Sequence, residues 1–333
     1  MAIRFAILGA GRIGLVHAQA IASNPQAQLV AVADPFVKSA NNLIAAFGGA
    51  LRSIEEIADA KDVDAVLICT PTNTHADLIE KFARAGKAIF CEKPIDLNLD
   101  RVKSCLAVVK ENKAKLMVGF NRRFDPHFVA LKNTIDAGTI GDVEMVNIVS
   151  RDPGPPPYEY IEVSGGIFKD MTIHDFDMAR FLLDEDIDSV FASASVLVDA
   201  KIGDLSDFDS ANVIMTTASG KQCSISNSRR ATYGYDQRIE VLGSQGMVNA
   251  KNQRPVSIEV ATSQGFTRPP LHDFFMTRYT QAYAAEITTF IATITNNTES
   301  LPSGDDGLYA LAIAEAARMS VNTGRSVKLA QVI

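Results

Sequence analysis

A histidine and three aspartates stand close together near the middle of the chain, in the stretch S-G-G-I-F-K-D-M-T-I-H-D-F-D at residues 164–177. Such a group could bind a metal ion, form an acid/base apparatus, or lie on a solvated helix face. If residues 166–182 form one helix, Asp170, His174 and Asp177 are spaced i, i+4 and i+7 and share a face. A neutral imidazole on that face could take a proton from a substrate hydroxyl, and a neighbouring carboxylate could orient the ring.

The remaining residues of this predicted helix have other roles. Met171, Met178 and Leu182 form a parallel apolar stripe, which predicts packing against a sheet. Asp175 lies off the reactive stripe and is predicted to be a solvated or capping residue. The stretch has no second histidine nearby and no H-E-x-x-H spacing, so we predict no metal site. The pattern favours acid/base chemistry, with a plain exposed face as the remaining alternative.

A second chemical motif, G-A-G-R-I-G, lies between a short apolar run and a helical run near the N-terminus. Glycines at these spacings permit a tight turn and a close approach of the backbone to a pyrophosphate at the helix N-terminus. Asp34 lies twenty positions beyond Gly14, where it can accept hydrogen bonds from a ribose and repel a 2′-phosphate. These features predict NAD rather than NADP. Lys38 is the nearby positive charge that would instead favour a 2′-phosphate. The predicted cofactor contacts are Asp34 and the loop residues Gly9, Gly11, Arg12, Ile13 and Gly14.

Polar residues also follow two later apolar runs, D-A-V-L-I-C-T-P and K-A-I-F-C-E-K-P. In an open parallel sheet the carboxyl ends of the strands meet at one edge, and ligands bind there. Lys93 could instead be an ordinary solvated lysine, and His75 a helix-start residue. The position at the sheet edge nevertheless predicts further cofactor contacts from Thr70, Pro71, Asn73, His75, Glu92 and Lys93.

The order of these motifs predicts two domains. Apolar runs alternate with helical patterns through residues 1–121, which predicts a doubly wound α/β domain with a parallel sheet. In residues 122–333 alternating strand-like runs separated by S-G and G-S-Q-G breaks predict an α+β domain with a large, mainly antiparallel open sheet. Helices are predicted near 279–295 and 305–323, and their pattern does not say on which domain they pack.

Composition excludes several classes of protein. The 333 residues carry a net charge of −7 and no long basic run, which argues against a nucleic-acid partner. No apolar stretch approaches the roughly 18 residues of a membrane span, so we expect no membrane partner. The four cysteines lack C-x-x-C spacing and are expected to be reduced, which predicts a cytoplasmic location.

Five motifs occur in order along the chain: G-A-G-R-I-G, C-T-P-T-N-T-H, C-E-K-P, G-F-N-R-R-F-D and G-G-I-F-K-D-M-T-I-H-D-F-D. This series resembles the Gfo/Idh/MocA family of NAD(P)-dependent oxidoreductases, and further segments are similar to its inositol dehydrogenases. The resemblance implies a Rossmann domain, a second domain whose sheet mediates assembly, a homotetramer and a polyol substrate. Oxidation of another cyclitol or a sugar, NAD-dependent glycoside cleavage and a non-catalytic NAD sensor are the alternatives.

The resemblance also implies roles for particular residues. The lysine of E-K-P and the D-x-x-x-H pair would be catalytic and would touch the substrate, and these are Lys93, Asp170 and His174. Further substrate contacts would come from Asp152, Asp177, Tyr235 and Tyr283. The Pro-rich segment at 153–160 varies within the family, so its contacts are left open.

Overall fold

Strands and helices alternate along the first third of the chain in the computed structural model, which describes residues 2–333. The elements in this third are β1 (Ile3–Leu8), α1 (Arg12–Ala22), β2 (Ala27–Ala33), α2 (Val37–Phe47), β3 (Ala50–Leu51), α3 (Ile54–Asp59), β4 (Ala65–Ile68), α4 (His75–Arg84), β5 (Ala88–Cys91), α5 (Leu99–Glu111) and β6 (Leu116–Val118). Short 3₁₀ helices follow β4 and β6, at Thr72–Thr74 and Asn121–Phe124.

Strands dominate the middle of the chain. The elements there are α6 (Pro126–Asp136), β7 (Val143–Arg151), α7 (Tyr158–Ser164), α8 (Gly166–Asp170), α9 (Ile173–Leu183), β8 (Ile187–Ser195), α10 (Ala200–Asp204), β9 (Ser210–Thr217), β10 (Gln222–Ser228), β11 (Asp236–Gly243), β12 (Gly246–Ala250), β13 (Val260–Thr262), β14 (Gly265–Thr267) and α11 (Phe275–Arg278). The chain ends with α12 (Thr280–Asn296), α13 (Gly304–Thr323), β15 (Val327–Lys328) and a 3₁₀ helix at Leu329–Gln331.

The first sheet has six parallel strands in the order β3-β2-β1-β4-β5-β6. This is the strand order of a doubly wound dinucleotide-binding domain, as the alternating pattern predicts. Strands β1 and β4 are almost wholly apolar because helices cover both faces of the sheet. Ile287 and Phe290 of α12 belong to the same core as Phe5 of β1, so this late helix completes the first domain's packing.

The second sheet has seven strands in the order β12-β11-β7-β10-β9-β8-β15, and it is mainly antiparallel as predicted. The pair β7 and β10 is the parallel exception. The S-G break joins β9 to β10 and the G-S-Q-G break joins β11 to β12, both as antiparallel neighbours. One face of this sheet is apolar and buried, and α9 packs on strand β7.

The chain divides into two compact units, one formed by residues 1–125 and 280–311 and the other by residues 126–279 and 312–333. A single division at residue 121 would place α12 in the second unit, whereas α12 packs on α1 in the first. The chain therefore returns to its first unit because the apolar face of α12 completes that unit's core. Helix α13 runs across the division, between Leu311 and Ala312.

All four cysteines are buried free thiols, in keeping with the absence of paired spacing. Within residues 2–333, every helix is too short or too polar to cross a bilayer.

Candidate active site

The glycine loop after β1 leaves the N-terminus of α1 open. Gly9 has a φ of +97°, and a Cβ there would lie 2.6 Å from the carbonyl oxygen of Cys69. A Cβ on Gly14 would lie 2.0 Å from the carbonyl oxygen of Gly9, whereas one on Gly11 would meet nothing within 4 Å. Gly11 is the N-cap of α1 and supplies no side-chain cap. The loop thus requires glycine for packing at two positions and offers open space and backbone N–H groups at the third, as a pyrophosphate needs.

Asp34 follows β2 and is hydrogen-bonded to the glycine loop. Its carboxylate accepts hydrogen bonds from the backbone N–H of Ala10 at 2.6 Å and from that of Phe36 at 2.7 Å. Each oxygen keeps lone pairs for a ribose hydroxyl. Arg12 is exposed and Ile13 half-buried at the start of α1. Asp34 is therefore held beside the glycine loop by its own hydrogen bonds.

The carboxyl ends of four strands adjoin at this edge of the first sheet, as the parallel order requires. Three backbone hydrogen bonds tie them together: Gly9 N–H to Ala33 at 2.8 Å, Cys69 N–H to Leu8 at 2.8 Å, and Glu92 N–H to Ile68 at 3.0 Å. The predicted cofactor residues of β1, β2, β4 and β5 therefore lie along one edge.

His75 is buried, and both of its ring nitrogens face backbone carbonyl oxygens. Its Nδ1 lies 2.8 Å from the carbonyl oxygen of Pro94 and its Nε2 lies 2.8 Å from that of Thr70. Burial lowers the pKa of His75, which favours a neutral ring that donates one of these hydrogen bonds. The ring links the loop after β4 to the loop after β5. Pro71 and Asn73, in contrast, are exposed at the same edge.

Glu92 and Lys93 begin the turn after β5, and both are half-buried. Glu92 Oε1 lies 2.6 Å from Nε2 of His17 on α1. The bond between Lys93 and Pro94 is cis. The turn is thus held on one side of Lys93 by His17 and on the other by His75.

The stretch 164–177 does not form the single helix that its spacing suggests. Helix α8 ends at Asp170 and α9 begins at Ile173, with a turn between them. Gly165 and Gly166 have φ angles of +83° and +82°, and a Cβ on Gly166 would lie 2.6 Å from Asp207 Oδ1. Both positions favour glycine because their φ angles are positive, and at Gly166 the chain also passes close to a buried carboxylate.

Asp170, at the end of α8, lies between a hydroxyl and a buried cation. Its Oδ1 accepts a hydrogen bond from the Tyr160 hydroxyl at 2.8 Å, and its Oδ2 lies 3.5 Å from Nη1 of Arg229. Arg229 is 1% exposed, and its Nη2 lies 3.6 Å from Oδ2 of Asp207. Burial raises the pKa of Asp207, and the charge of Asp170 adds to that rise. The guanidinium therefore offsets the negative charge of two aspartates.

His174 and Asp177 lie one turn apart on α9. His174 is half-buried at the second position of the helix, whereas Asp177 is buried. The predicted anchoring stripe of Met171, Met178 and Leu182 is buried, as expected.

The prediction that Asp175 is solvated or a capping residue is wrong. Its side chain is fully buried, and its Oδ2 accepts a hydrogen bond from Nδ2 of Asn227 on β10 at 2.8 Å. The same amide also donates to the carbonyl oxygen of Ser150 on β7 at 3.2 Å. Because α9 starts anew at Ile173, its orientation differs from that of a continuous helix, and Asp175 faces the sheet. It fastens α9 to β10.

Asp152 and Tyr235 lie at the same end of the second sheet. The register pairs Arg151 with both Ser228 and Asp236, so the residues just beyond these strands are neighbours. Asp152 donates its backbone N–H to the carbonyl oxygen of Ser228 at 2.9 Å. Arg229, the partner of Asp170, follows Ser228 directly. This sheet end therefore gathers Asp152, Tyr235, Arg229 and Asp170.

Tyr283 belongs to the first unit, on α12. Its ring packs edge-on against that of His17, with centroids 5.6 Å apart. The structure thus places it in the same unit as Lys93, whereas the other predicted substrate residues lie in the second unit.

Several residues at these sites escaped the sequence patterns. Tyr160, Arg229 and Asp207 surround Asp170, and Glu286 lies with His17 beside Glu92. The pair Arg229-Arg230 is visible in the sequence as a short basic run. The partner of Arg229, Asp170, is 59 positions away, so the sequence does not reveal their contact. Only the paired glycines at 165 and 166 hint that something closely packed adjoins α8.

The first unit has features of a dinucleotide site, and the second has features of a proton-transfer site. The first has an open, glycine-lined helix N-terminus beside a carboxylate suited to ribose, which fits a dinucleotide without a 2′-phosphate. The second presents a histidine and a carboxylate held by a phenol and a guanidinium, which fits proton transfer.

Comparison with known proteins agrees with this division. Residues 3–120 match the family model described as oxidoreductase family, NAD-binding Rossmann fold, and residues 128–249 match the model of the GFO/IDH/MocA C-terminal domain. The chain is 66% identical over 330 residues to the inositol 2-dehydrogenase of Rhizobium meliloti, covering 99% of this chain and 100% of that protein.

Solved structures are similar over the same length. A myo-inositol dehydrogenase from Corynebacterium glutamicum superposes with a TM-score of 0.95 at 42% identity, covering 99% of each chain. The scyllo-inositol dehydrogenase of Lactobacillus casei, with bound NAD(H) and scyllo-inositol, gives a TM-score of 0.91 at 28% identity. That match covers 99% of this chain and 100% of the other.

Proposed function

Because this chain belongs to the Gfo/Idh/MocA family of oxidoreductases and has its NAD-binding Rossmann fold, we propose that it oxidises myo-inositol at the 2-hydroxyl. The products are 2-keto-myo-inositol (scyllo-inosose), NADH and a proton. The observation that carries the proposal is the 66% identity to an inositol 2-dehydrogenase along the whole chain, combined with intact Lys93, Asp170 and His174.

The reaction separates a hydride from a proton. NAD⁺, when bound, supplies the acceptor for the hydride of the carbinol carbon. His174 takes the hydroxyl proton as general base, and Asp170 orients its ring and stabilises the imidazolium that forms. Lys93 donates a hydrogen bond to the same oxygen and favours its developing negative charge. Tyr160 and Arg229 act through Asp170 as positioning residues, since both contact its carboxylate.

Recognition of a cyclitol requires several polar partners, because each hydroxyl that is bound selects against the wrong stereoisomer. We assign this role to Asp152, Asp177, Tyr235 and Tyr283, with Lys93, Asp170 and His174 also touching the substrate. Asp152 and Tyr235 share one end of the second sheet with Asp170, which supports a common role. Residues 1–121 thus bind NAD and supply Lys93, and residues 122–333 supply the other substrate contacts.

Cofactor contacts are assigned to the edge of the first sheet. Asp34 would bind the adenosine ribose and Gly11 would let the pyrophosphate approach closely, with Glu92 and Lys93 as further contacts. The full set is Gly9, Gly11, Arg12, Ile13, Gly14, Asp34, Thr70, Pro71, Asn73, His75, Glu92 and Lys93. Within it, His75 acts by joining the loops that carry Thr70 and Pro94, since both of its ring nitrogens face backbone carbonyl oxygens.

Asp34→Asn should weaken use of NAD⁺ and reduce the preference for NAD⁺ over NADP⁺. The amide loses a charged acceptor for the ribose, which costs about tenfold or more in kcat/KM for NAD⁺, and it no longer repels a 2′-phosphate. The measurement is kcat/KM for both cofactors. Lys38→Ala is the comparison, because removing this nearby cation should lower NADP⁺ use alone. An unchanged cofactor ratio in Asp34→Asn would refute the role of Asp34.

The activity itself is tested by following NADH absorbance with myo-inositol and NAD⁺. We expect sustained NADH formation, and a panel containing scyllo-inositol, other cyclitols and pyranose sugars then ranks the substrates. Scyllo-inositol is the second candidate, because the Lactobacillus casei relative was crystallised with it. A glycosidase would release product without net NADH, and a sensor would bind NAD(H) without turnover. Absence of NADH with every polyol would overturn the proposal.

We also assign this enzyme to a cytoplasmic inositol-catabolic role and to a homotetramer assembled through the second sheet. One face of that sheet carries large exposed apolar side chains in two groups: Phe191 lies opposite Ile214 on β8 and β9, and Leu242 lies between Met145 and Met247 on β7, β11 and β12. Exposed apolar groups of this kind on one face are typical of a protein interface. A second copy of the chain is the partner that closed symmetry favours.

Ile214→Glu should therefore reduce the oligomeric state. The side chain is 52% exposed in the single chain and lies directly opposite Phe191, so a charge there would be buried without a partner in an assembly. Size-exclusion chromatography with light scattering measures the mass. Leu51→Glu, an equally drastic change at an exposed residue of β3, should leave the mass unchanged. An unaltered mass in Ile214→Glu would exclude this face.

A further inference from the structure

A buried group of three titratable residues lies under the turn that carries Lys93. His17 of α1 lies between two carboxylates: its Nε2 is 2.6 Å from Glu92 Oε1, and its Nδ1 is 3.8 Å from Glu286 Oε1. Both His17 and Glu286 are fully buried, and Glu92 is half-buried. The rings of Phe90 and Tyr283 pack edge-on against the imidazole, with centroids at 5.0 and 5.6 Å. All of these residues belong to the first unit.

Glu286 is the unusual member of this group. Among residues 2–333, no donor lies within hydrogen-bond distance of either of its carboxylate oxygens. A fully buried carboxylate without donors is very unfavourable, whereas a carboxylic acid is tolerated because it is neutral and can donate its proton. Burial, and then the charge of Glu92, raises the pKa of Glu286 well above its ordinary value. Nδ1 of His17 is the acceptor that faces it.

The spacing favours a proton over a metal ion as the group's occupant. The ligand atoms of the three residues lie within 4.8 Å of one another, which a divalent ion could in principle use. Two ligands of one tetrahedral zinc ion lie roughly 3 Å or more apart. The 2.6 Å contact between His17 and Glu92 is too short for that and has the length of a charge-assisted hydrogen bond.

We propose that Glu286 is held as a carboxylic acid and that Glu286, His17 and Glu92 form a hydrogen-bond chain that positions the turn bearing Lys93. In this chain the Glu286 hydroxyl donates to Nδ1 of His17 after a small side-chain rotation, and Nε2–H of His17 donates to the Glu92 carboxylate. His17 is thereby a positioning residue. The catalytic consequence rests on the proposed function of Lys93, but the protonation of Glu286 does not.

The titratable groups around Glu286 favour a protonated carboxyl. His17 faces it from α1 and Glu92 from the end of β5. The Cys69 thiol at the end of β4 lies in the field of both carboxylates, and its pKa is raised well above its ordinary value by burial, then by Glu92 and Glu286. Tyr283 lies one turn away on α12 itself. None of these groups supplies a fixed positive charge that would hold Glu286 ionised.

Glu286→Gln tests the protonation state without any reference to activity. Between the unfolded and folded pKa values of Glu286, folding takes up a proton, so wild-type stability falls as pH rises through that interval. Glutamine is an uncharged mimic of the acid and does not suffer this loss. The melting temperature of Glu286→Gln should exceed that of wild type, with a difference that grows from about pH 5 to about pH 8. Glu299→Gln, at an exposed glutamate, should show no such trend. A Glu286→Gln variant that is less stable across this range would overturn the proposal.

A pair of His17 variants tests the positioning role. In His17→Gln the amide nitrogen can reach the place of Nε2 and still donate to Glu92, whereas the shorter side chain of His17→Asn cannot. We expect kcat to fall about ten- to hundredfold in His17→Asn and by less than about threefold in His17→Gln, at similar melting temperatures. Equal losses of kcat in both variants, in proportion to the fall in melting temperature, would show a merely structural role.

Elemental analysis of the purified protein tests the metal alternative. A stoichiometric amount of metal would overturn the hydrogen-bond chain in favour of a metal site. If wild type is inactive with every polyol, the Glu286→Gln result still decides the protonation.

Discussion

Replacing His174 by alanine should lower turnover with myo-inositol by about 10² to 10⁴-fold, because the hydroxyl proton then has no positioned acceptor. Affinity for NAD⁺ should change little, since the glycine loop and Asp34 lie in the other structural unit. Steady-state kinetics gives kcat, and titration of NAD⁺ gives its Kd independently. The half-buried position of His174 means that the truncation removes little core packing.

His127→Ala is the matched control, because this histidine is exposed at the second position of α6. Its turnover should equal that of wild type. Wild-type turnover in His174→Ala would remove the general base from the proposed mechanism. A parallel loss of NAD⁺ binding would mean that the substitution disturbs more than proton transfer.

Replacing Lys93 by methionine should lower kcat by about 10² to 10³-fold, since the alkoxide loses its positively charged hydrogen-bond donor. Methionine has a similar length and apolar character, so the half-buried turn keeps most of its packing. Lys93→Arg should restore little, because a planar guanidinium does not reproduce a compact ammonium group. Single-turnover measurement of NADH formation isolates the chemical step from product release.

Lys103→Met is the control for this pair, as Lys103 is exposed on α5. It should be indistinguishable from wild type in single-turnover rate. A Lys93→Met rate within about threefold of wild type would show that the ammonium group does not stabilise the transition state. A loss confined to KM would make Lys93 a binding residue only.

Local patterns were sufficient for the architecture. Apolar runs between helical segments specified the parallel sheet, because strands covered on both faces need apolar residues throughout. Turn signals at S-G and G-S-Q-G specified two hairpins that the second sheet contains. Ser53 and Glu56, three positions apart, form a capping box at the start of α3, with hydrogen bonds of 3.1 and 2.7 Å.

The reactive stretch shows where such patterns fail. The periodicity predicted one helix through 166–182. The structure instead has a turn after Asp170, so the side chains of α9 face other directions than they would in a continuous helix. Met171, Met178 and Leu182 are nevertheless buried, as the apolar stripe predicts. Asp175 is not where it was expected, since its environment depends on Asn227, 52 positions away.

The sequence by itself determined the fold, the glycine loop with its acidic residue, and the residue types available for proton transfer, because these depend on neighbours within a turn or a strand. Only the tertiary structure decided which charges meet. Arg229 reaches Asp170 from the end of β10, and Glu286 reaches His17 from a helix more than 260 positions later. Those contacts are made by burial and packing, which bring together residues whose sequence separation carries no periodic signal.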